Sequence, residues 1–201
     1  DAGSDGTGSV TEGASTTTAT GSVSASDVDG DDSTFTYAIG TAAGTYGDLT
    51  MSGAAWTYTL NNADADTDAL DAGDSVTDAF TITVTESSSS TTDTMTVTIT
   101  VAGAADASVW AGTTTGSLTE DASTTTASGA LTITDADGDD TPTITDVSST
   151  AGANGYGNFV MASGTWTYTI DSSATDALDA GDSVTDTYAF SASDSTTQTV
   201  T

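Results

Sequence analysis

The sequence contains no lysine, no arginine, no histidine and no cysteine. Each absence removes a class of function. Without cysteine there is neither a disulfide nor a thiolate zinc site. Without histidine, lysine or cysteine there is no ordinary general base near neutral pH and no catalytic triad. Paired carboxylates can serve a glycosidase, but here the acidic blocks recur as copies, which points to structure and not to an enzyme. A chain without cations offers no surface for a nucleic-acid backbone or for anionic lipid. No apolar run reaches membrane-spanning length, so no membrane insertion is expected. No signal-peptide pattern opens the chain, whose start reads as a piece of something longer.

What is present is acid. The 201 residues include 30 aspartates and glutamates, for a formal charge of −30 and a pI of about 4.1. No carboxylate can find a basic side-chain partner. Each must stay solvated, accept hydrogen bonds or bind a metal ion, and self-repulsion predicts dependence on cations. Compositions of this kind can signal disorder, but the apolar residues are strictly patterned, which predicts a folded chain.

The pattern is a duplication, which outranks other signals. Leu70-Asp-Ala-Gly-Asp-Ser-Val-Thr-Asp78 returns unchanged at residues 178–186, a shift of 108 positions. Val10-Thr-Glu12 matches Leu118-Thr-Glu120, and Asp27-Val-Asp-Gly-Asp-Asp32 matches Asp135-Ala-Asp-Gly-Asp-Asp140 at the same shift. Trp56-Thr-Tyr-Thr-Leu60 has its counterpart in Trp166-Thr-Tyr-Thr-Ile170. The predicted domains are residues 1–105 and 106–201.

Within each repeat the apolar period is two, as in residues 95–101 (Met-Thr-Val-Thr-Ile-Thr-Val), and no useful window shows a helical period. Threonine fills the alternate positions, being both β-branched and polar. Several short strands separated by turn signals predict an all-β fold: two tandem antiparallel β-sandwiches. Trp56 and Trp166 are the expected core anchors. Residues 61–69 read as loop and 87–90 as a hairpin tip. The second repeat stops inside the strand that matches 95–101, so its closing strand is incomplete; either the chain is cut there or another subunit supplies the strand. Trp110 has no counterpart near Val10 and reads either as a core or interface plug or as a sugar platform.

The turn at residues 27–32 and its copy at 135–140 are metal candidates. Calcium takes six to eight hard oxygens, and closely spaced carboxylates supply several. The spacing is not that of an EF-hand, because glycine stands fourth and Ala38 twelfth in the first copy. A solvated acidic loop is the alternative. Asp74 and Asp78 are weaker candidates.

The order Thr-Glu, Asp-x-Asp-Gly-Asp, Trp-Thr-Tyr-Thr, Leu-Asp-Ala-Gly-Asp-Ser-Val-Thr-Asp and Ala-Asp-Ala resembles the VCBS repeat, an immunoglobulin-like, cadherin-like module found in tandem in large bacterial surface and secreted proteins. The linker departs from the usual Asn-Asp-Ala-Pro and reads Ala105-Asp-Ala-Ser108. The resemblance implies immunoglobulin-like (cadherin-like) sandwiches, an extracellular or cell-surface place, and an adhesive or matrix role. It also implies calcium where consecutive domains join, held by Glu12, Asp71, Asp106, Asp135 and Asp137, with an outer site of Asp27, Asp29 and Asp1. Asp71 serves equally well as a turn cap. The expected partners are neighbouring repeats, identical subunits if the chain builds a filament, and glycans if an exposed aromatic serves them.

Overall fold

Threonine alternating with larger apolar residues gives the backbone one polar and one apolar face, and strands follow. The computed structural model describes residues 2–4 (backbone), 6–28, 30, 34–138 and 140–201. The chain forms two units, residues 1–106 with 136–139 and residues 107–135 with 140–201.

The first unit is a sandwich of two sheets. One contains β1 (Ala2–Ser4), β3 (Thr18–Ala25), β6 (Ala55–Leu60) and β5 (Gly47–Ser52), in the order β1-β3-β6-β5. The other contains β2 (Thr7–Thr11), β8 (Thr92–Ala102), β7 (Ser75–Glu86) and β4 (Phe35–Ile39), in the order β2-β8-β7-β4. The predicted all-β sandwich is present, with one departure from pure antiparallel pairing: β2 runs parallel to β8. No hairpin links those two strands, so antiparallel order is not imposed on them.

Register follows burial. Phe80, Ile82 and Val84 of β7 and Val97, Ile99 and Val101 of β8 all point inward, with Phe80 opposite Val97 and Val76 opposite Val101. Trp56 and Tyr58 of β6 complete the core at 1% and 0% exposure. The Trp56 ring lies over Gly21 of β3, its register partner, where any Cβ would collide with it. Residues 61–69, expected as loop, contain a four-residue helix α1 (Ala65–Asp68) capped by Asp64, whose carboxylate accepts the Asp66 N–H at 3.0 Å. One turn is too short to leave a periodic signal, whereas an aspartate cap is enough to start it.

The second unit repeats the plan. Its larger sheet has the order β11-β12-β13-β10-β9, formed from β9 (Val109–Gly112), β10 (Thr126–Thr134), β11 (Val147–Ala151), β12 (Gly157–Ala162) and β13 (Thr165–Ile170). A one-turn helix α2 (Ser172–Thr175) follows, capped by Asp171. The facing pair is β14 (Tyr188–Ser191) with β15 (Thr197–Val200). Trp166 is 1% exposed beside Phe159 and Phe190, as expected of a core anchor. Trp110 on β9 is half-buried, packs against this core and donates from Nε1 to Thr196 Oγ1 at 2.9 Å. Among the described residues no helix is long and apolar enough to cross a membrane.

Candidate metal centre

The acidic centre of the first unit is built at the ends of its strands. Glu12 follows β2, and its N–H donates to the Ala102 carbonyl of β8 at 2.9 Å, which extends the parallel ladder by one residue. That carries its side chain out of solvent, to 4% exposure. Its Oε2 accepts the Ala104 N–H at 3.4 Å. Asp68 ends α1, whose buried Thr67 ties the turn down by donating its hydroxyl to the Tyr46 carbonyl at 3.4 Å. Asp106 lies in the segment beyond β8, and its N–H donates to Asp137 Oδ2 at 2.9 Å.

Glu12, Asp68 and Asp106 each place a carboxylate oxygen within 4.8 Å of the others. Asp71 and the buried Asp137 approach each other to the same degree. Burial raises the Glu12 pKa above the usual carboxylate range; the Ala104 N–H works against this, while the charges of Asp106, Asp137 and Asp68 add to it. Like charges this close in a half-dry site repel strongly. No basic side chain exists to neutralise them. The donors are all oxygen, the set a hard divalent cation such as calcium prefers over softer metals.

Of the residues expected from sequence, the structure brings Glu12, Asp106, Asp71 and Asp137 into this region of the first unit. Asp135 is half-buried directly after β10, and Asp27 is half-buried beyond β3; among the described residues neither belongs to a close group of three acids. Asp1 and Asp29 lie outside the described residues. Asp68 was not singled out from sequence. The run Asp64-Ala-Asp-Thr-Asp68, an aspartate cap followed by two more acids, was the available signal. The second unit holds a related arrangement: Glu120 is half-buried with its pKa raised by burial and then by Asp121, Asp176 and Asp179. Asp176 and Asp179 stand 108 positions after Asp68 and Asp71.

Asp78, a weaker metal candidate from sequence, is otherwise engaged. It sits on β7 at 3% exposure. Its Oδ1 accepts the Thr45 N–H at 2.7 Å; its Oδ2 accepts the N–H groups of Tyr46 and Gly47 at 3.0 and 3.1 Å and the Tyr58 hydroxyl at 2.8 Å. Asp186 repeats the device with Asn154, Tyr156, Thr187 and the Tyr168 hydroxyl. Burial and then the neighbouring carboxylate push both tyrosine hydroxyls well above their ordinary pKa. Asp78 pins the loop that precedes β5 to β7 of the opposite sheet, and Asp186 ties the loop that precedes β12 to the segment just before β14.

The bacterial cadherin-like domain matches residues 1–103. The chain belongs to that family. Cadherin-like domains are structural and non-enzymatic, are typically extracellular, and often bind calcium. No curated protein matches the chain. Among solved structures, chicken VE-cadherin EC1-2 is similar at 15% identity and a TM-score of 0.30, over 97% of this chain and 95% of that one. A protein of unknown function from Porphyromonas gingivalis W83 gives 11% and 0.31, over 91% and 88%. Domains 4-9 of the surface layer protein SbsC give 16% and 0.27, over 100% and 30%. At TM-scores of this size none of the three bears on function.

Proposed function

We propose that the chain is a VCBS-type spacer from a large bacterial surface or biofilm protein, an adhesive or structural repeat stiffened by calcium. The observation that carries this reading is the group Glu12, Asp68 and Asp106, with Asp137 bonded to the Asp106 N–H, in a chain without one cationic side chain. A calcium ion held there would join the end of β2, the helix α1, Asp106 and Asp137 in one coordination sphere. Calcium there would compensate the carboxylate charge and cross-link the segments that carry it. The family match supports an adhesive or structural repeat. Asp135, Asp27, Asp29 and Asp1 remain proposed ligands on the strength of the VCBS resemblance.

Small-angle scattering and thermal melting of the chain in calcium and in excess chelator test this reading. A stiffer particle and a higher melting temperature in calcium are expected. Identical scattering and melting in both conditions would remove calcium from the account.

A further inference from the structure

The chain has four asparagines: Asn61, Asn62, Asn154 and Asn158. Of these, Asn154 alone is followed by glycine. Such a pair is chemically labile, because a glycine nitrogen has no side chain beside it to shield it from the asparagine amide carbon. Asn154 and Gly155 lie exposed in the loop between β11 and β12 of the second unit. The loop is longer than its counterpart in the first unit. Its ends are tied by the Gly152 N–H and the Gly157 carbonyl at 3.0 Å, whereas the Gly44 N–H and the Gly47 carbonyl tie the other at 2.8 Å. No asparagine stands between Gly44 and Gly47. Gly155 takes a φ of 75°, which side chains avoid, so the turn itself requires glycine there.

The labile pair also holds this loop in place. Asn154 donates its backbone N–H to Asp186 Oδ1 at 2.8 Å and its Nδ2 to the Thr185 carbonyl at 2.8 Å. The Ala153 N–H donates to the Thr187 carbonyl at 2.9 Å, and the Gly155 N–H donates to the Gly152 carbonyl at 3.1 Å. Thr185 and Thr187 make these bonds along the same edge on which Ser191 and Ser193 bond to Thr145 and Thr143, the edge away from β15. In the closed loop, the nitrogen that would attack the Asn154 amide carbon and the nitrogen that would leave it are each tied to a carbonyl.

We propose that Asn154–Gly155 is a self-modifying site that the fold holds in check: it is converted by water once the loop opens, and conversion then keeps the loop open. The Gly155 nitrogen loses its proton to solvent base and bonds to Asn154 Cγ, and Nδ2 leaves as ammonia. The cyclic imide that results takes up water. Cleavage of the new C–N bond leaves aspartate; cleavage of the original peptide bond leaves isoaspartate, with the main chain continued through the side chain. Water is consumed and ammonia released, and no other reactant enters. The closed loop withholds both nitrogens, so local opening sets the rate. Aspartate puts a charged acceptor where Nδ2 met the Thr185 carbonyl, beside the buried Asp186, which removes one hydrogen bond and adds repulsion. Isoaspartate lengthens the main chain and moves Ala153 and Tyr156 out of step with their partners. The second unit thus carries an irreversible record of opening, and the matching loop of the first unit does not.

The test incubates the 201-residue chain at mildly alkaline pH, in buffer and in denaturing urea, and follows each asparagine by peptide mapping with mass spectrometry. Asn154 should convert first of the four in urea, and about tenfold or more slowly in buffer. Hydrogen exchange of the converted chain should quicken at 152–157 and 185–187 and stay unchanged at 44–60, and N154D should show the same pattern without incubation. Equal rates in buffer and urea would overturn the proposal, since the fold would then exert no check. So would an Asn154 that stays intact in urea, or a converted chain as well protected at 152–157 as the original.

Discussion

Replacing Asp78 by asparagine keeps the shape of the side chain and removes its charge. Four donors converge on the carboxylate: Thr45 N–H on Oδ1, and Tyr46 N–H, Gly47 N–H and the Tyr58 hydroxyl on Oδ2. An amide can offer oxygen to only one side. With the oxygen at the Oδ2 position, the amide NH2 faces the Thr45 N–H, so two donors confront each other. One charge-assisted hydrogen bond is lost, about 1.5–3 kcal/mol, and three more weaken to neutral strength. The expected loss is about 3–4 kcal/mol for D78N. D78A leaves all four donors without their acceptor in a buried site and should cost about 3–5 kcal/mol or more. Y58F removes one donor while leaving the carboxylate its three N–H groups, and should cost about 1–2 kcal/mol. Denaturant titration at fixed calcium gives the size of each loss, and hydrogen exchange of residues 44–60 assigns it to the first unit. A D78N chain within about 0.5 kcal/mol of wild type, the range of a neutral surface change, would refute the claim that Asp78 anchors the loop before β5.

Other outcomes follow from the same structure. G21A should destabilise the first unit by about 1–3 kcal/mol through overpacking, because its Cβ meets the Trp56 ring; urea unfolding reads the change. Tyr58 and Tyr168 have hydroxyls whose folded pKa lies above the unfolded value near 10. Their contribution is complete below that pH and is lost as pH rises past it, so melting temperature should fall above about pH 10, and less so in Y58F/Y168F. Glu12 is also raised, so in chelator its contribution is complete below its unfolded pKa and is lost as pH rises through the folded value. Melting temperature in chelator should therefore include a gain on acidification from neutral pH that E12Q lacks, and calcium affinity should fall over the same range as protons compete for the carboxylate.

The sandwich was legible because burial and sequence share one period. Met95, Val97, Ile99 and Val101 fall on one parity, and β8 runs through all of them with the last three fully buried. The repeat made the correspondence of Trp56 and Trp166 visible, and both rings are core. The parallel pairing of β2 with β8 was not legible, since register between strands distant in sequence depends on the whole sheet. Helix α1 escaped because one turn has no period, and Asp68 escaped with it. Asp78 carried a signal that went unused. It stands on the same parity as Phe80 and Ile82, and an acid at an inward position must find hydrogen-bond donors. Glu12 and Asp106 were found through the family resemblance; composition alone shows only that their charges lack cationic partners.

The most direct test of the central claim is a calcium titration of the chain followed by melting, with E12Q and D106N beside the wild type. If Glu12, Asp68 and Asp106 hold an ion, calcium at about one hundred times its Kd adds about 2.7 kcal/mol to the unit that binds it, which for a domain near a hundred residues is a rise of roughly 10–20 °C. The account predicts that rise in the wild type and its loss in both variants. The same rise in all three proteins, or none in the wild type, would contradict it.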